Sequence, residues 1–341
     1  MNEAAIYLQT NDAQRNEVIA FRRAADGTLQ RLGTYETGGR GSGKPHLPSQ
    51  GSVAVTGDGR NLLVTNAGSD DVSLFAVEPD GLQLVDRAGG GGEAPTSVAE
   101  RDGLVYVLNN GSATIAGFRI EGGRLTPLSD SVRGLSGADA DPAQVGFSPD
   151  GRTLVVTERG TNQITTFAID ERGYADAAAT IPSAGETPYG FDFTRGGAVV
   201  VTEAFGGEIG KAAASSYTLA DIGRLTRASG SVADMRSEVC WAAVTKDDRF
   251  VYVTNFGDGT ISRYAIRGDG TLELAEPVAA ATRLGEAGVR DEAITADGRF
   301  LYALDADAQR VHGWRIGTDG ELAEIGSYDG LPATVAGLAA S

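Results

Sequence analysis

Two glutamates have the residue type and the spacing to do chemistry together. Glu158 ends the run Val156-Thr157-Glu158, and Glu203 ends Val201-Thr202-Glu203. The same place in a recurring pattern is held elsewhere by Asn11, Asn66, Asn109, Asn255 and Asp305. Asn or Asp at a strand end bonds the backbone of the turn that follows, which is a structural task. Glu reaches further and makes that local bond less readily, so its appearance in two consecutive repeats marks Glu158 and Glu203 as candidate catalytic residues. A carboxylate pair at a common rim could share a proton, divide the general acid and base roles, or hold a divalent cation. Solvated carboxylates without a partner are the other reading. No cofactor is required by this pattern; a divalent cation on Glu158 and Glu203 is the one option it leaves.

Other side chains fall near the same rim. The chain has two histidines, and His46, in the segment Lys44-Pro45-His46, is the one placed to assist proton transfer, or else is an ordinary loop residue. Arg236 and Arg290 could fork onto a ligand carboxylate or phosphate, or pair with neighbouring acids. Tyr189 and Trp241 could floor a pocket or simply pack. Cys240, the single cysteine, reads as a small buried apolar residue, and His312, alternating with Trp314, reads as structural.

The elements that must position these residues come from a repeat. An apolar segment leads to an Asp-Gly-type turn, then a β-rich run ending in Asn, Glu or Asp, then two further strands. Clear copies run Ala296-Asp297-Gly298-Arg299-Phe300-Leu301-Tyr302 and Lys246-Asp247-Asp248-Arg249-Phe250-Val251-Tyr252. A period of roughly 42 to 52 residues is that of a four-stranded propeller blade. Seven inner segments are expected: Ser52–Thr56, Thr96–Glu100, Ala143–Ser148, Tyr189–Phe193, Trp241–Thr245, Glu292–Thr295 and Ala333–Leu338. The last has no strands after it, whereas the N-terminal strands Ala5–Thr10 and Glu17–Arg22 have no inner strand before them. Ring closure resolves both, because the C-terminal strand completes the N-terminal blade and removes two open edges. The expectation is an all-β, seven-bladed propeller of antiparallel four-stranded blades, occupying residues 1–341 as one domain.

Composition narrows the partners. A formal net charge of −17 argues against nucleic acid and against anionic membranes. One cysteine precludes an intrachain disulfide or a cysteine metal cluster. No leader of charged-then-apolar type and no membrane-length apolar run is visible, so a cytoplasmic location is expected, a removed leader being the alternative; a monomer acting on a small molecule is the expectation for partners. His-Glu-x-x-His, Walker and Gly-x-Ser-x-Gly patterns are absent, and the Gly-rich runs at 38–43 and 89–92 do not bridge a strand to a helix.

Val251-Tyr252-Val253-Thr254-Asn255, Pro149-Asp150-Gly151-Arg152 and Gly270-Thr271-Leu272 resemble the seven-bladed propeller lactonase family, over the whole chain. That family includes propeller-type 6-phosphogluconolactonases and fungal carboxymuconate-lactonizing enzymes. The resemblance implies hydrolysis or isomerisation of a small lactone or related oxygenated acid at the channel mouth. Its signature places an Arg and a His before one inner strand and a Glu at the end of the next strand. Glu158 matches, while Ala143 and Gln144 occupy the Arg and His places, which makes Gln144 a ligand-contact candidate. Asn255-Phe256-Gly257-Asp258 also lacks the Arg and His of a later turn. A divergent member with little 6-phosphogluconolactonase activity is expected, and a non-catalytic propeller that binds a protein or small ligand on its loop face is the alternative.

Overall fold

The computed structural model describes residues 4–45 and 47–341. Seven four-stranded antiparallel sheets form the ring, one of them with a fifth two-residue strand, Arg133–Gly134, on its outer side. Blade 1 has Ala336–Ala340 as its inner strand, followed outward by Ala5–Gln9, Glu17–Arg23 and Leu29–Glu36. The remaining inner strands are Val53–Val55, Pro95–Arg101, Pro142–Phe147, Pro188–Phe193, Val239–Val244 and Val289–Ile294, in blades 2 to 7. The only helical turns among the described residues are two three-residue 3-10 segments, Phe205–Gly207 and Phe256–Asp258. Among the described residues no helix is long and apolar enough to cross a membrane.

The closing strand lies a little further on than its apolarity suggests. Ala333–Val335 belong to the approach: Val335 N bonds the Pro332 carbonyl at 3.1 Å, and Leu331 and Val335 plug the blade 7–blade 1 core. Pairing then runs Ile6↔Ala340 and Tyr7↔Ala339. Alternation explains the burial. In the strands Thr153–Glu158 and Phe300–Asp305 every residue is buried, because each sheet has a neighbour on both faces. The outermost strands alternate or open to solvent, as in Leu29–Glu36.

Two local devices shape the two faces. On one face, a Ser or Thr hydroxyl donates to an Asp two residues later, as in Thr56–Asp58, Ser148–Asp150, Thr245–Asp247 and Thr295–Asp297, at 2.6–2.7 Å. The same Asp accepts the N–H two residues beyond it, so the repeated turn is a self-contained Asx structure. On the other face, inner strands of blades 3 to 7 carry a register shift at their start, as between Pro188 and Phe191, Val239 and Ala242, and Val289 and Glu292. Such bulges re-aim side chains. They place Tyr189, Cys240 and Arg290, which follow the first residue of their strands, at equivalent points of three adjacent blades.

Candidate functional site

Tyr189, Cys240 and Arg290 line one cavity of about 480 Å³, with Glu238 and Phe256 among its other walls. It lies on the face of the entry loops and second turns, the face that also carries Glu158 and Glu203. Arg290 is only 6% exposed. Its Cζ lies 3.8 Å from the centroid of the Phe256 ring, and Nε is buried without a hydrogen-bond partner. No described residue forms an ion pair with it within 4 Å. A cation is thus carried to a pocket wall and supported from below by a ring quadrupole, with its forked N–H groups available to an anionic or carbonyl oxygen.

The rest of the pocket is held by ring packing and hydrogen bonds. The Tyr189 ring packs on Trp241 with centroids 4.7 Å apart. On Tyr189, Arg159 places its Cζ 4.9 Å from the ring centroid and donates to the hydroxyl at 3.1 Å, while Asp141 holds Arg159 at 2.5 Å. Burial pushes the Tyr189 phenol up to about 12. Burial likewise pushes the Cys240 thiol up to about 11, against the opposing pull of Arg290, so the sulfur is a neutral wall and not a nucleophile. Glu238 is half-buried, and no hydrogen bond or ion pair among the described residues engages its carboxylate. Gly207 leaves room for it, since a Cβ there would approach Glu238 Oε1 to 2.8 Å. Glu238 has φ +53°, as Asp141 and Thr187 have φ +43° and +55° at the same point of their blades. The left-handed backbone is therefore a demand of the entry loop, not strain reserved for this site.

The seven strand-end positions form a buried ring, each fully enclosed. Glu158 accepts from the backbone N–H and hydroxyl of Ser136 and from the hydroxyls of Thr161 and Thr165. Glu203 accepts from Gly185 N at 2.7 Å, from Ser183 Oγ and from Ser231 Oγ. Asn109 donates to the Gly90 carbonyl, and Asp305 holds Arg283 and Ala308 N. Asn109, Glu158, Glu203 and Asp305 pin the entry loop of their own blade, and Asn11 pins that of blade 2 through Ser42 and the Lys44 carbonyl. No hydrogen bond links Glu158 and Glu203 to each other: each of the longer side chains reaches its own set of hydroxyl and backbone donors. Among the described residues no group of three or more His, Cys, Asp or Glu is disposed to hold a metal ion.

Of the other sequence candidates, Tyr189 and Arg290 meet in the pocket, and Trp241 is fully buried behind Tyr189. Gln144 is engaged elsewhere. Its amide bonds both Phe191 O at 2.9 Å and Phe191 N at 2.7 Å, clamping the inner strands of blades 4 and 5. Ala143 is packed against Cys240 and Trp241, so the indole fills space that a larger side chain would need. Arg236 turns to Asp258 at 3.9 Å and does not line the cavity. His46 lies outside the described residues. Glu238, Phe256 and Arg159 were not singled out from the sequence. Cys240 and Arg290 share a repeat position with Tyr189, which is the signal that would have grouped them.

The opposite face also has clefts, of about 380–540 Å³. Two of them lie between the Asx turns of one blade and the outer turns of its neighbour, as at Asp247 and Gly268–Gly270, while the third, of about 540 Å³, is lined by the Asx turns of blades 2 and 7 with Lys246, Ala340 and Ser341. Grooves of that kind recur with the repeat and are made by the turns themselves.

The fold is shared with proteins of different description. A candidate 6-phosphogluconolactonase from Bacteroides fragilis superimposes with a TM-score of 0.76 at 18% identity, over 100% of this chain and 98% of the other. The periplasmic gluconolactonase of Pseudomonas aeruginosa gives 0.76 at 17%, over 99% and 98%. A hypothetical selenium-binding protein from Sulfolobus tokodaii gives 0.70 at 11%, over 100% and 94%. Identities this low speak for the architecture alone. No curated protein matches the chain in sequence. The family model described as lactonase, seven-bladed β-propeller, matches residues 4–140, 104–205 and 200–334, and with all seven blades in place the chain belongs to that family.

Proposed function

We propose that the protein hydrolyses a small lactone in the pocket of Tyr189, Glu238, Cys240, Phe256 and Arg290. One observation carries this reading: a buried guanidinium, seated on an aromatic face and without an ion pair to any described residue within 4 Å, lines a cavity on the loop face. In the proposed reaction the Glu238 carboxylate takes a proton from water as the water oxygen bonds to the lactone carbonyl carbon. Arg290 receives the developing oxyanion, the ring C–O bond breaks, and the proton passes to the leaving oxygen to give the hydroxy acid. Preorganised donors at an oxyanion are worth about 10²–10³ in rate, and a general base about 10²–10⁴.

The test is turnover of a panel of unphosphorylated lactones by the wild type and by Arg290→Gln, Arg290→Lys and Glu238→Gln. Arg290→Gln should lower kcat by about 10²-fold or more, with Arg290→Lys recovering part of it. Glu238→Gln should lower kcat with little change in ligand affinity. Turnover that survives Arg290→Gln and Glu238→Gln overturns the assignment. The full engagement of Gln144 in an inner-strand clamp, and of Ala143 in packing, favours a second reading in which the pocket binds an acid without turnover. Saturable binding with no lactone hydrolysed would select it.

A further inference from the structure

Apart from Arg290 and Glu238, the polar side chains lining the pocket are few: the hydroxyls of Tyr189 and Thr187, both already accepting a hydrogen bond, and the Cys240 thiol. Arg159 holds the Tyr189 hydroxyl. Thr187 Oγ1 accepts the Gly206 N–H at 3.0 Å, and Cys240 Sγ turns to the Glu238 carbonyl at 3.5 Å. Ala204, Val239 and Phe256 supply apolar walls. A polyhydroxylated ligand would find only these few partners and leave most of its hydroxyls unpaired, and an apolar one would not.

The apolar character continues outward. The three most exposed large hydrophobic side chains among the described residues are Ile209 at 91%, Leu284 at 70% and Met235 at 66%. All three stand on loops of the pocket face in blades 5 to 7. Ile209 comes two residues after Gly207, and Met235 three before Glu238, both of which line the pocket. The two loops are tied together. Gly210 N donates to Ser237 Oγ at 3.1 Å, Ala212 N to the Arg236 carbonyl at 3.1 Å, and Asp234 N to the Ala212 carbonyl at 3.0 Å. Leu284 sits on the next entry loop, where Gly285 N bonds the Asp258 carbonyl at 2.8 Å, two residues from Phe256. Of the other exposed large hydrophobics among the described residues, Val132 at 49% and Leu84 at 40% are less exposed and lie on other blades, and the placing of these three on the loops around one pocket gives them a common use.

We infer that the ligand is an amphiphile: a single carboxylate, or the lactone ring that yields one, at Arg290, with an apolar arm of several carbons leaving the pocket across Ile209 and Met235. The inference rests on the reading of Arg290 as the anchor.

The experiment is calorimetry of the full chain with straight-chain monocarboxylates from butanoate to decanoate, at 150 mM salt and neutral pH. Each added methylene should tighten binding by roughly two- to four-fold until the wall is covered. The double variant Ile209→Ser/Met235→Ser alters two surface residues and should fold normally; in it the gain per methylene should fall by more than half. Arg290→Gln should weaken every member about tenfold or more and leave the gain per methylene unchanged. A series that binds through Arg290 but is flat with chain length overturns the apolar arm and leaves the anchor standing. A gain per methylene that persists in the double variant also overturns the arm. Binding that rises with length but ignores Arg290→Gln removes the anchor, and the amphiphile with it.

Discussion

Arg290 and Glu158 are both buried and charged, and their surroundings give them opposite meanings. The Glu158 carboxylate is surrounded by donors, so its charge is balanced where it lies. Arg290 has a ring face beneath it and a cavity beside it, so in the proposed function its charge is met by an oxygen of the ligand. Substitution should separate the two. Glu158→Gln and Glu203→Gln each put an amide N–H₂ among hydroxyl and amide donors, leaving buried groups unsatisfied at a cost of about 1–3 kcal/mol. Urea unfolding should show a lower midpoint for both variants, while ligand affinity in the pocket stays near wild type. Loss of activity with unchanged stability would return these carboxylates to the chemistry.

Strands decide how the ring closes and where its titrating groups fall. Ser341 N donates to the Ala5 carbonyl at 2.9 Å and Ser341 Oγ accepts Ala5 N at 2.8 Å, so the final residue still belongs to the clasp. Ending the chain at Gly330 would expose the edge of Ala5–Gln9 and strip Leu331, Val335 and Leu338 from their core. The truncated protein should lose its cooperative thermal transition and aggregate; a transition within a few degrees of wild type would contradict the clasp. Asp291, on the inner strand of blade 7, accepts the Gly337 N–H of that closing strand. Burial pushes its carboxyl up to about 7, with the Gly337 bond and Arg290 pulling the other way. A carboxyl with a raised folded pKa adds stability that is complete below about pH 4 and lost as pH rises through about 7. Asp291→Asn keeps an acceptor for Gly337 and removes the charge. It should raise Tm by roughly 2–4 °C at pH 8 and leave it unchanged at pH 4, read by calorimetry. An equal shift at both pH values would show that ionisation is not involved.

At the scale of the whole molecule, charge bears on the substrate range of the proposed reaction. The formal net charge is −17, and a dianionic phosphorylated lactone would approach against that field with Arg290 as its anchor in the pocket. Hydrolysis of 6-phosphogluconolactone should therefore be slower than that of an uncharged lactone by at least about tenfold in kcat/KM, with the gap narrowing as salt is added. Equal turnover of the two at low ionic strength would show that local donors outweigh the global field.

The chain's period, its Asp-Gly turns and the missing partner strands at its two ends determined the blade count and the manner of closure, because local hydrogen bonding and alternation are written in neighbouring residues. They also placed Tyr189 and Arg290 on the loop face. What Glu158, Glu203 and Gln144 touch was decided only by the tertiary structure. Ser136 is 22 residues from Glu158 and Phe191 is 47 from Gln144, and no periodicity encodes which hydroxyl or carbonyl a long side chain will meet. The pocket is likewise assembled across blades. Tyr189, Cys240 and Arg290 stand about fifty residues apart, and it is the bulge at the head of each inner strand, together with the curvature of the ring, that turns three separated side chains toward one cavity.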